Sequence, residues 1–148
     1  MERRPEPELM DSETQTAAYA AADFNESNTL FARLFAESFP DCPQTGAMAD
    51  LGCGPGDITL RMARAYPGWY VTGLDAGKNM LRHARERLSR DSGPVNVTFR
   101  HSYLPDDSLE TGAWDALISN SLLHHLPDPQ VLWQSIRDLA RPGAAVLV

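Results

Sequence analysis

Three glycines at alternate positions, Gly52, Gly54 and Gly56, follow Asp50 and precede the helix-like run Ile58-Thr59-Leu60-Arg61-Met62. A glycine loop opening a helix lets a ligand approach the backbone, and the exposed N–H groups at the helix start favour anions such as phosphate. The dinucleotide fingerprint is G-x-G-x-x-G. Here the spacing is G-x-G-x-G, and Asp57 occupies the position of the fingerprint's third glycine. Asp57 stands where a carboxylate caps the helix and meets its dipole, and a carboxylate there disfavours phosphate. No Gly-Lys-Ser/Thr follows, so the loop is not a P-loop.

An adenosine cofactor without phosphate suits this loop better. S-adenosylmethionine carries a sulfonium and an ammonium against one carboxylate, and its cations tolerate the nearby Asp50. Asp75, 23 residues after Gly52, has the place of an acid that accepts from ribose hydroxyls; its other reading is a loop-initiating aspartate. His124 and His125 with Asp128 invite a metal reading. Adjacent histidines in one loop are expected to point in different directions, and no third ligand has suitable spacing, so no metal site is expected. Cys42 and Cys53, the only cysteines, form no CxxC pair and read as reduced thiols.

The surrounding pattern must position these groups. Residues 1–11 are proline-rich and charged and read as a poorly ordered tail. Ala17 to Ala22 reads as a short helix. Asn25-Glu26-Ser27-Asn28 reads as the cap of a second helix, with Leu30, Phe31, Leu34, Phe35 and Phe39 on one face and Pro40 as its stop. Strands are expected at Ala47–Leu51, Tyr70–Asp75, Val95–Phe99, Ala116–Ile118 and in the final AAVLV. Helices marked by Ile58, Met62 and Ala65, by Met80, Leu81, Ala84 and Leu88, and by Leu132, Ile136 and Leu139 alternate with them. Asp128-Pro129 starts the last of these and Pro142-Gly143 closes it. Arg82, Arg85, Arg87 and Arg90 read as a solvated helix face. Alternating strands and helices imply an α/β fold with a mostly parallel sheet covered on both faces. Its ligands bind beyond the carboxyl ends of the strands, where the glycine loop, Asp75 and Asn120 are all expected.

Composition bounds the rest. A chain of 148 residues suits one domain large enough to need no staple. It carries a net charge of −7, with one lysine (Lys78) among its 13 basic residues and 20 acids, a poor balance for gripping nucleic acid. No apolar run approaches the ~20 residues of a membrane span, and the first residues lack a signal-peptide core. A cytoplasmic location is expected.

Taken together, the motifs resemble class I S-adenosylmethionine-dependent methyltransferases, from about residue 44 onward. The resemblance rests on Asp50-Leu51-Gly52-Cys53-Gly54-Pro55-Gly56, Gly73-Leu74-Asp75 with Met80, Trp114 to Asn120 running into Leu122-Leu123-His124-His125-Leu126, and Leu139-Ala140-Arg141-Pro142-Gly143. It implies a Rossmann-like sheet of order 3-2-1-4-5 spanning residues 44–148, preceded by a tail and lid-like helices in residues 1–43. It further implies that Asp50, Gly52, Cys53, Gly54 and Gly56 surround the methionine part of the cofactor. Asp75 would bind the ribose, with Ala76 and Met80 near the adenine. Asn120 and Ser121 would sit near the sulfonium and the acceptor entrance. Where the family often has an aspartate reading the adenine amine, this chain offers Ser102. Tyr19 and Phe24 would either close over the cofactor or simply pack. His125 would either act as a general base or pack.

The implied reaction is methyl transfer from S-adenosylmethionine to a small-molecule acceptor, with S-adenosylhomocysteine as product. A module that only binds these compounds is the alternative. A nicotinamide-dependent oxidoreductase is disfavoured by the glycine spacing and Asp57. The family's strands six and seven are not expected in this chain. AAVLV would then be an unprotected edge, to be covered by a second copy in a homo-oligomer or by further chain.

Overall fold

The computed structural model describes residues 9–90, 94 and 96–148, so the expected tail at 1–8 and Val95 of the expected third strand lie outside the described residues. Five strands, β1 (Gly46–Leu51), β2 (Trp69–Asp75), β3 (Val97–His101), β4 (Trp114–Ile118) and β5 (Ala140–Leu147), alternate with five helices. These are α1 (Glu13–Ala21), α2 (Asn25–Ser38), α3 (Asp57–Ala65), α4 (Lys78–Arg90) and α5 (Gln130–Leu139). All strand pairs are parallel and the order is β3-β2-β1-β4-β5, the Rossmann-like arrangement implied by the sequence. The chain winds outward from β1 to β3 and then returns to β4 on β1's other side. The strand order therefore reverses at β1, where such sheets place their ligands.

Strand period two divides the core into two layers. Met48, Val71, Ala116 and Ile118 face a layer completed by Phe31 and Phe35 of α2, Leu60 and Met62 of α3, and Leu81 and Ala84 of α4. Ala49, Leu51, Leu74 and Leu117 face the other, completed by Leu132, Ile136 and Leu139 of α5. Helices thus cover both faces, as the apolar runs of the inner strands require.

Several local expectations are corrected. Asn25 to Asn28 lie inside the first turn of α2, and Asp23 Oδ1 accepts from Asn25 N at 3.0 Å. The apolar stripe of α2 is wider than its buried face: Phe31 and Phe35 are buried, whereas Leu30 and Leu34 are exposed. Pro142-Gly143 does not separate α5 from its strand. The strand starts at Ala140, and the pair lies in a bulge where the register jumps from Trp114↔Ala140 to Ala116↔Ala145. Gly143 adopts φ +83° there, which a Pro-Gly pair takes without strain. Nor is Arg87 merely a solvated residue of α4: it donates to Asp57 Oδ2 at 3.0 Å and to Ala20 O at 3.1 Å.

Phe99 of β3 lies where β2 and the glycine loop leave no room for side chains. A Cβ on Gly73 would stand 2.7 Å from Phe99 Cδ1 and 2.9 Å from Cys53 Sγ. Gly73→Ala is therefore expected to lower unfolding free energy by about 1–3 kcal/mol in urea titrations. Adding Phe99→Leu should recover part of that loss, and strictly additive effects would contradict the steric account.

Candidate functional site

The site begins with how β1 and β2 end. Beyond Leu51, the backbone N–H groups of Gly52 and Cys53 both donate to Leu74 O, at 2.8 and 3.0 Å. The glycine loop is thereby sewn to the end of the neighbouring strand. Asp75 then takes over: its Oδ2 accepts from Gly54 N at 2.8 Å and its Oδ1 from Gly77 N at 2.7 Å. One carboxylate fixes two loops from two strands. The third strand joins through its own continuation, since Ser102 N donates to Asp75 O at 3.0 Å. His101 Nε2 lies 3.0 Å from Ala76 O. On the other flank, Ser119 Oγ donates to Leu51 O at 2.8 Å, tying the end of β4 to β1.

Two clefts open above these ends. The first is bounded by Gly52, Gly54, Asp75, Ala76, Met80 and Ser102 on one side and by Asn120, Ser121 and His125 on the other. The second is bounded by Asp50, Cys53, Asp57 and Arg87 beneath Ser27, Asn28 and Phe24. Tyr19, Gly52, Gly54, Asn120 and Ser121 belong to both, so the two clefts meet over the glycine loop. Every site residue named from the sequence lines one cleft or both, with one exception. Gly56, at φ +80°, is the left-handed N-cap of α3, and a Cβ there would strike the Phe99 ring at 2.7 Å. Gly54 is the opposite case, because a Cβ on it would meet nothing within 4 Å. Ser121 lies at φ +63°, the single non-glycine residue with positive φ among the described residues.

Charge at the site is dominated by two acids. Asp50 is buried, 2% exposed, and accepts from Thr59 Oγ1 at 2.6 Å. Burial pushes its carboxyl up to about 7, opposed by the Thr59 hydroxyl and reinforced by the Asp75 charge. Burial also raises Asp75, against the pull of the Gly77 and Gly54 amides. Asp57 departs from its expected role. It does not cap α3; its carboxylate instead binds Arg61 Nε, Arg87 at 3.0 Å and Asn28 Nδ2 at 3.1 Å. Two guanidiniums neutralise it, so its charge no longer argues against phosphate at the helix start. That argument passes to Asp50 and Asp75.

His124 and His125 do not point apart as expected: their rings lie against each other, tilted by 40°, with centroids 4.1 Å apart. Among the described residues no group of three or more His, Cys, Asp or Glu side chains is arranged to hold a metal ion. No helix among them is long and apolar enough to cross a membrane.

The sequence pattern of the methyltransferase domain family matches residues 49–146, from the second half of β1 into β5. The chain belongs to the methyltransferase domain family. An uncharacterized methyltransferase of Mycobacterium bovis is 32% identical over 104 residues, covering 70% of this chain and 50% of that protein. Trans-aconitate 2-methyltransferase of Streptomyces coelicolor is 33% identical over 112 residues, covering 72% of this chain and 35% of that protein. The fold is shared with Haemonchus contortus phosphoethanolamine N-methyltransferase 2, solved with phosphomonomethylethanolamine and S-adenosylhomocysteine. That match has a TM-score of 0.76 and 24% identity, covering 92% of this chain and 32% of that one. The methyltransferase domain therefore spans half the length of the first relative and about a third of the second.

Sequence reasoning missed the roof of this domain's first cleft. Leu9 and Met10 line it, because Asp11 Oδ1 accepts from Asn79 N at 2.7 Å and Asn79 Nδ2 donates to Asp11 O at 2.8 Å. Asp11 thus holds the segment before α1 against the start of α4. A lone aspartate in a polar leader carries no periodic signal that reveals such a contact.

The buried Asp50 sets a pH dependence of stability. Its proton is held more tightly in the folded state than in the unfolded chain, where aspartate titrates near ~3.9. Its contribution is fully favourable below that pH and is lost as pH rises through about 7. Asp50→Asn keeps an acceptor for Thr59 and removes this titration. Urea unfolding at pH 4.5, 6 and 8 should show the variant gaining on the parent as pH rises, and a constant difference would contradict the assignment.

Proposed function

We propose that the chain binds S-adenosylmethionine across the two joined clefts and transfers its methyl group to a small-molecule acceptor. The observation that carries this reading is the convergence of Asp50, the bare Gly54 backbone, Asp75, Ser102 and Asn120 around one continuous opening at the strand ends. The open space beyond Gly54 lets a ligand lie directly on the loop. A buried carboxylate, Asp50, and a half-buried one, Asp75, beside that loop are costly in isolation and favour a ligand bearing positive charge. S-adenosylmethionine has two such charges and no phosphate.

In this reading the methionine part lies in the second cleft, beside Asp50 and the Gly52–Gly54 backbone. The adenosine part lies in the first. The Asp75 carboxylate keeps unshared lone pairs for ribose hydroxyls after accepting from Gly54 and Gly77. Ala76 and Met80 flank the adenine, and Ser102 contacts its edge. Tyr19, which belongs to both clefts, covers the junction where Asn120 and Ser121 face the acceptor.

When bound, S-adenosylmethionine supplies an electrophilic methyl group for in-line transfer, leaving S-adenosylhomocysteine. The protein's part is to align donor and acceptor and to keep water out. Leu122, Leu126, Leu9 and Met10 provide the apolar wall for that exclusion. His125 lines the same cleft and is placed to take the proton that an oxygen or nitrogen acceptor must lose. Relatives named for trans-aconitate and the structure holding phosphomonomethylethanolamine support a small acceptor.

Calorimetry with S-adenosylmethionine, S-adenosylhomocysteine and NAD tests the reading. The first two should bind and NAD should not, and Asp75→Asn should weaken both by roughly tenfold or more. Tight NAD binding with no S-adenosylmethionine signal would overturn the proposal. Turnover of labelled methyl donor over a panel of small acceptors then separates transfer from binding alone.

A further inference from the structure

The edge of the first cleft formed by the chain after β3 has a hydrogen-bonding polarity that its residue types alone do not reveal. Ser102 is buried, at 5% exposure, and lines the cleft beside Ala76 and Met80. Its backbone N–H is committed to Asp75 O at 3.0 Å. Its hydroxyl is committed as well, donating to Asp106 Oδ2 at 2.8 Å. Asp106 is in turn fixed through its other oxygen, which accepts from Ser108 N at 3.0 Å and from the Ser108 hydroxyl. Arg100 of β3 closes the circuit by donating to Ser108 Oγ. The Ser108 and Ser102 donors hold the Asp106 carboxyl below the usual carboxylate range. Asp106 is therefore an acceptor with no proton to return, and Ser102 must be the donor between them.

A serine hydroxyl has one hydrogen and two lone pairs. With its hydrogen spent on Asp106, Ser102 has nothing left to offer a ligand except lone pairs. A ligand group facing it must bring a hydrogen. A free serine would rotate and serve donors and acceptors alike, whereas this one is locked.

We infer that Asp106 is a positioning residue that fixes the Ser102 hydroxyl as a pure acceptor, so that the cleft takes a base bearing an amino group and refuses one bearing a carbonyl in its place. This rests on the S-adenosylmethionine reading of the same cleft, and it goes beyond that reading by assigning the base selectivity to Asp106, which itself need not touch the ligand. The adenine amine donates to the Ser102 oxygen. A hypoxanthine carbonyl at that point would set lone pair against lone pair, and neither group could turn to relieve it. Sites that commit a buried group to one polarity discriminate strongly against the ligand lacking its complement.

The test compares S-adenosylhomocysteine with S-inosylhomocysteine by calorimetry. The parent protein should favour the adenosyl compound by roughly 10- to 100-fold. Asp106→Asn should reduce that ratio to within about threefold, because an amide can donate to Ser102 and free the hydroxyl to turn. Ser102→Ala should reduce it similarly. Ser108→Ala, which loosens the same loop while leaving the Ser102–Asp106 bond, should lower both affinities together and keep the ratio. Equal binding of the two compounds by the parent, or an unchanged ratio in Asp106→Asn, would overturn the inference while leaving the cofactor reading intact. Failure of the parent to bind S-adenosylhomocysteine at all would overturn both.

Discussion

The Asp75 carboxylate is the interaction on which the rest of the site depends. It ends β2 and accepts backbone N–H groups from Gly54 in one loop and Gly77 in another. Both loops would otherwise leave polar backbone beside a cleft without a fixed direction. Charge-assisted bonds to an ionised carboxylate are stronger and shorter than neutral ones, so one side chain sets the shape of the glycine loop and the start of α4 together. The cost is a second, half-buried acid near Asp50, and desolvation pushes both groups upward. A site that holds two carboxylates close together is most comfortable when a cation arrives. The same geometry that shapes the loop therefore sets the charge preference of the cleft.

The basic side chains serve a different purpose. Arg61 and Arg87 both turn to Asp57, and Arg87 also reaches Ala20 O at the end of α1. These contacts join α1, α3 and α4 around the second cleft. Asp57 is thus neutralised by the scaffold, while Asp50 and Asp75 are left to the ligand. The Asp57 carboxylate therefore belongs to the contacts between helices rather than to the glycine loop.

The sheet order and the convergence of most candidate residues on the clefts were legible because they follow from strong local signals. Alternating apolar runs, a glycine loop after an acid, and an acid at the end of the next strand leave few arrangements for the chain. Legibility failed where a contact joins residues far apart without periodicity. Asp11 on Asn79, Arg87 on Ala20 and Asp106 on Ser102 have no signature in spacing. Gly56 shows the converse ambiguity. Its place in the glycine pattern suggests ligand contact, yet the structure gives it the Phe99 ring as its neighbour. A glycine demanded by packing and one demanded by a ligand look alike in sequence.

The division of labour in the site follows from these contacts. The groups held most firmly are the backbone amides and the two acids of the strand ends, Asp50 and Asp75. The groups added over them, Leu9, Met10 and Tyr19, come from chain that precedes the sheet. The Asp11–Asn79 bonds, the Glu13–Arg82 ion pair and the Arg87–Ala20 bond all run from this cover to α4, and none of them is a strand pairing. A ligand that fills the space between floor and cover gains contacts from both. For a transfer reaction in which alignment and dryness supply most of the protein's contribution, a floor of strand-end amides and acids beneath an apolar cover of Leu9 and Met10 would serve both needs.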